Sequence, residues 1–130
     1  MASLKAQRLA DELYKMGFYS FGPSKIEDSD FIIGCSLDSY ETTQKIPYLR
    51  KVKDLDGDFY ESSEREGLGF PQMIFYEEEG GLFVKVEAYT PPSGNPIILL
   101  DNPLKKKEML MILGSSKYSG MEFYDVRGPR

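Results

Sequence analysis

Between positions 82 and 89 the chain alternates without a break. Leu82, Val84, Val86 and Ala88 fall on one side, and Phe83, Lys85, Glu87 and Tyr89 fall on the other. A period of two in a run rich in β-branched residues predicts a strand. Gly80 and Gly81 precede it and can supply the positive φ values of a tight turn, so residues 73–77 are expected to fold back antiparallel against it. In a simple register Met73 and Phe75 then share a face with Val84 and Val86, which makes that face the expected centre of the core. The opposite face adds Ile74 and Tyr76 to Phe83, Lys85, Glu87 and Tyr89. It is amphipathic, and it is expected to be half solvated or to meet a partner.

The remaining elements read outward from this hairpin. Leu4, Leu9, Leu13 and Met16, with Ala6 and Ala10, recur at helical spacing after Ser3, a good N-cap, and before Gly17, a helix stop. Asp11 and Lys15 form an expected i,i+4 pair on the exposed side. Residues 18–21 are aromatic and short, and 22–30 read as a loop or single helical turn. Residues 31–37, FIIGCSL, predict a buried strand with a bulge or close approach at Gly34. Residues 40–44 are turn-like, and 46–53 alternate loosely as a strand whose start Pro47 puts at an edge. The DLDGD turn at 54–58 leads to a short strand opening at Phe59 and Tyr60, and 62–69 read as a loop. After the hairpin, 90–96 form a proline-fixed turn and 97–100 an apolar strand. Asn102 and Pro103 cap a helix over 103–113. Residues 121–126 form a last strand and 128–130 a tail. These elements imply a single α+β domain over 1–130. Its mostly antiparallel sheet is expected to have about five to seven strands, with an N-terminal helix and a C-terminal-half helix packed on one face.

Composition narrows the function more than the pattern does. At 130 residues with 41% hydrophobic content, the chain is the size of one ordinary domain with a real core. Cys35 is its one cysteine, so no internal disulfide can form, and no charged-then-apolar leader precedes the first helix. Both favour a reducing, cytoplasmic compartment. No apolar run approaches the roughly 20 residues of a membrane span. The net charge of −5 disfavours nucleic acid as a general partner, because phosphate binding depends on lysine and arginine displacing counterions. Acids cluster between Asp54 and Glu79, and cations at Lys45, Arg50, Lys51 and Lys53 and at 105–107, an asymmetry able to steer a charged protein partner.

Histidine is absent, which removes the commonest general base and transition-metal ligand and rules out Ser-His-Asp and Cys-His machinery. The carboxylates of Asp54, Asp56 and Asp58 resemble a calcium loop only at their start, since Phe59 and Arg65 stand where the loop needs glycine and glutamate. Lys85 precedes Glu87, the reverse of the acid-then-lysine order of restriction-type nucleases. No phosphate-binding glycine loop is present.

The expectation is therefore a non-enzymatic cytoplasmic protein-interaction module of the inhibitor, immunity, chaperone or viral accessory type. Catalytic residues, metal ligands and cofactors are expected to be none. Phe83, Lys85 and Tyr89 are the expected partner-binding residues, because nine tyrosines and eight phenylalanines exceed what such a core needs. The expected partner is a protein, with no membrane contact and with homo-oligomerisation left open. The alternative is a small-molecule or nucleotide-binding domain, and behind it a carboxylate-metal enzyme such as a nuclease.

Overall fold

Two strands of the expected hairpin form the middle of the molecule: β3 (Gln72–Glu78) and β4 (Gly81–Tyr89) pair antiparallel with Met73 opposite Val86 and Phe75 opposite Val84. The computed structural model describes residues 3–15, 18, 24–26, 29–89 and 96–113, and the backbone alone at 5, 24–26, 29–32, 89, 96, 106, 109, 110 and 113. Of the expected turn at 90–96, residues 90–95 lie outside the described residues and Pro96 opens β5; the expected strand at 121–126 and tail at 128–130 also lie outside them. The hairpin turn is built one residue earlier than expected. Glu79 (φ 51°) and Gly80 (φ 76°) take the two positive-φ positions of the two-residue connection, while Gly81 is already in the strand opposite Glu78.

Chain order runs α1 (Leu4–Lys15), β1 (Ser24–Ile26), β2 (Ser29–Ser36), α2 (Tyr40–Gln44), a 3-10 helix (Pro47–Lys51), α3 (Gly57–Glu66), β3, β4, β5 (Pro96–Pro103) and α4 (Lys106–Leu113). The strands pair in that same order, every neighbour antiparallel, so the sheet is a meander with a helical insertion between β2 and β3. The α+β class and the antiparallel sheet are as expected. Among the described residues the sheet reaches no further than the low end of the expected five to seven strands: four strands of seven to nine residues carry it, and β1 adds three residues at one edge.

One face of the sheet carries the core. Ile33, Met73, Phe75, Leu82, Val84 and Val86 are buried there with Leu9 and Leu13 of α1, Leu49 of the 3-10 helix, and Leu104 and Ile112 around α4. Phe18 meets Phe75 edge-on, with ring centroids 5.5 Å apart. Ser3 caps α1 as expected, its hydroxyl accepting from the Ala6 amide at 3.2 Å. Leu4, expected in the apolar stripe, is instead 77% exposed in the first helical turn, and Lys15 pairs with Glu12 at 3.2 Å rather than with Asp11.

Most corrections fall between β2 and β3. The β2 irregularity lies between Phe31 and Ile33, and Gly34 pairs regularly with Ile74. Residues 40–44 are helical because the Ser39 hydroxyl accepts from the Thr42 amide at 3.0 Å. The expected strand over 46–53 is a 3-10 helix, since Pro47 at its first position has the φ that a helical turn needs. The expected turn, strand and loop over 54–69 contain α3. Asp56 accepts from the Phe59 amide at 2.9 Å and starts it. Gly67, at φ 68°, ends it in a Schellman arrangement, with Gly67 N donating to Glu64 O and Leu68 N to Ser63 O. Downstream, α4 begins at Lys106 rather than Pro103, because β5 runs on to Pro103 and Leu104 N still donates to Leu82 O at 2.8 Å.

Candidate functional site

Alternation along β4 aims Phe83, Lys85 and Glu87 away from the core, and register sets them between Tyr76 of β3 and Asp101 of β5. This outer face is more closed than alternation implies. Ile74, Tyr76 and Glu87 are buried, and Phe83 and Lys85 are half-buried. Tyr76 explains part of the closure. Its ring stacks on Phe83 with centroids 5.1 Å apart and planes 15° apart, and its hydroxyl donates to Asp101 Oδ1 across the intervening strand.

Lys85 is held from two directions. Its ammonium lies 3.5 Å from Glu87 Oε2, with the two side chains only 14% and 7% exposed, and it stands 5.6 Å from the centroid of the Tyr76 ring. An ammonium beside a carboxylate and over an aromatic face is electrostatically satisfied. Of the three expected partner-binding residues, Phe83 and Lys85 thus share one cluster with Tyr76, Glu87 and Asp101. Tyr89 ends the same strand, its backbone opposite Pro96, and its side chain lies outside the described residues.

A second feature lies on the core side of β5. Asp101 serves the outer face, and its neighbour Asn102 turns inward, where Nδ2 donates to the Tyr48 hydroxyl at 3.0 Å. Burial pushes the Tyr48 phenol up, the Asn102 hydrogen bond works against that, and the Glu108 carboxylate adds to the rise. Beside this pair is an open cleft of about 370 Å³, lined by Val52, Leu99, Leu100 and Met111, with Lys51 and Lys53 exposed at its edge. One sign of it is visible in the sequence, Lys51 and Lys53 flanking Val52, and that pattern also fits a solvated surface.

Other expected chemistry is absorbed by structure. Asp56 caps α3 and Asp58 lies in its first turn, where a carboxylate complements the helix dipole. Among the described residues no group of three His, Cys, Asp or Glu side chains is placed to hold a metal ion. Cys35 is half-buried, its thiol 3.4 Å from Ser36 O, and burial followed by the Asp38 charge pushes that thiol up, away from the reactive thiolate. Tyr60, expected in a strand, is the centre of an aromatic cluster on α3. It stacks on Phe70 at 5.8 Å, meets Phe59 and Tyr40, and its hydroxyl shares a hydrogen bond with Thr43 Oγ1. Several tyrosines counted towards a surface are therefore internal.

What the fold and its two faces define is an α+β domain with an amphipathic, internally bonded outer sheet face and an apolar cleft beside β5. No protein-family model, curated protein or solved structure matches the chain. Among the described residues no helix is long and apolar enough to cross a membrane.

Proposed function

We propose that the chain is a non-enzymatic protein-interaction module of the inhibitor, immunity, chaperone or viral accessory type, acting in the cytoplasm. The observation that supports this reading is the character of β5. Among the described residues it is paired only to β4, at the end of the sheet, and its consecutive residues Ile97 and Ile98 are 49% and 48% exposed. A strand with one open edge presents backbone donors and acceptors to an incoming strand, and exposed isoleucines supply the apolar contact that fixes it. Pro96 and Pro103 close both ends of that edge, and the register shift opposite Val86 and Glu87 interrupts it. These features keep the open ladder short and disfavour indiscriminate pairing. The docking surface is centred on Ile97 and Ile98 and reaches Phe83, Lys85 and Tyr89 on the adjoining strand. The acidic region between Asp54 and Glu79 steers a basic partner towards the molecule without fixing where it docks.

The test is affinity capture from the native host with the full chain as bait. A macromolecule recovered in stoichiometric amount is the expected result. Recovery of none, with the bait folded and monomeric, would sink the proposal, and recovery of the chain itself would make the partner a second copy.

A further inference from the structure

The cleft between the 3-10 helix, β5 and α4 combines an apolar lining with two lysines that pair with no carboxylate among the described residues. Val52, Leu99, Leu100 and Met111 pack against the core from one side and line the cleft from the other. Its volume, about 370 Å³, falls in the range of small-ligand sites, roughly 300 to 1,000 Å³. The nearby cations divide into two kinds. Lys45 pairs with Glu41 at 3.8 Å, and Arg50 Nε donates to Gln44 O at 3.1 Å. Lys51 and Lys53, the two at the cleft, pair with no carboxylate among the described residues. In a chain of net charge −5, two lysines beside an apolar hollow with no described carboxylate on them favour an anion there.

We propose that this cleft binds a small organic acid with an apolar body. The body lies against Val52, Leu99, Leu100 and Met111, and the anionic head faces Lys51 and Lys53. Tyr48 and Asn102 form an uncharged end. The Tyr48 hydroxyl accepts from Asn102 and keeps its own hydrogen to donate, while the Glu108 carboxylate near it repels an anion from that end. The site thus orients its ligand: charge at the lysines, and any neutral acceptor at the phenol. This inference is independent of the β5 edge, because it uses the core side of that strand.

The probe is decanoate below its micelle concentration, titrated into the full chain and followed by amide and methyl NMR shifts. Saturable shifts confined to Val52, Leu99, Leu100 and Met111 are expected. Decanol, which has the chain without the charge, should bind about tenfold more weakly or worse, and so should decanoate to Lys51→Gln/Lys53→Gln. A second variant, Val52→Trp, fills the hollow and should abolish the shifts while the chain keeps its thermal midpoint within a few degrees. Absence of saturable shifts, equal binding of decanol, or shifts centred elsewhere would each overturn the proposal.

Discussion

At the scale of single residues, the outer face of β4 separates what alternation determines from what it does not. Period two put Lys85 and Glu87 on the side away from the core, and both are there. Alternation carries no information about what crosses over them, and the ring of Tyr76, reaching Asp101 from two strands away, covers part of that side. Lys85 is consequently an internal cation, with Glu87 at 3.5 Å. Removing one member of a half-sequestered ion pair leaves the other charge poorly solvated, whereas removing both does not. Lys85→Met is therefore expected to lower unfolding free energy by on the order of 3 kcal/mol, and Lys85→Met/Glu87→Gln to recover much of it, measured by urea denaturation. A single variant as stable as the parent would mean that the pair carries no weight. Leu4 illustrates the converse: it fits the helical stripe by type, yet it precedes the part of α1 that reaches the sheet and stays exposed.

At the scale of elements, legibility followed the source of each element's stability. Hairpin β3–β4 and helix α1 are stabilised by burying one apolar stripe, and a stripe is visible as periodicity. Helix α3 buries little beyond Tyr60 and Ser63, so its pattern is nearly silent and its sequence reads as turn and loop. What defines it is its ends. The Asp56 cap and the Gly67 Schellman turn were present as residue types, yet DLDGD also fits an acidic turn, and glycine after a charged run also fits a loop. Asp56→Ala should cost about 1 kcal/mol through the lost cap. Gly67→Ala should cost a similar amount, about 1 kcal/mol, through backbone strain alone, because no atom lies within 4 Å of the position its Cβ would take. Both losses are measurable by thermal or urea unfolding, with helical CD reduced before the sheet signal. Unchanged stability in both would mean that α3 is held by Tyr60 and its neighbours without its caps. The 3-10 helix at 47–51 reads as a strand in sequence for a related reason. Tyr48 and Leu49 are both buried, and consecutive buried residues in a short segment fit either structure.

At the scale of the whole molecule, the order of pairing matters more than any one side chain. Among the described residues the meander places β5 at the end of the sheet, so residues 96–103 meet β4 on one side, and both Ile97 and Ile98 retain about half their surface. That outcome was only partly readable. The sequence marks 97–100 as a short apolar strand, which fits a buried central strand better than an exposed edge, and nothing local to it specifies its neighbours. The flanking prolines were the available sign, since proline inside a sheet belongs to edges. Charge adds direction but no address. The acids of 54–79 are spread over the α3 segment and the hairpin turn, and the two lysines with no carboxylate partner among the described residues sit at the cleft. Hence the edge, rather than a charged patch, is the feature that the interaction reading depends on.

The deciding measurement is the affinity of the captured partner for the full chain and for Ile97→Lys/Ile98→Lys, compared side by side. Lysine on an edge strand blocks strand addition and is tolerated by the fold at half-exposed positions. An unchanged thermal midpoint is expected, with a loss of binding of about a hundredfold, the scale at which removal of a central apolar anchor is felt. Undiminished affinity in the folded double variant would contradict docking on β5.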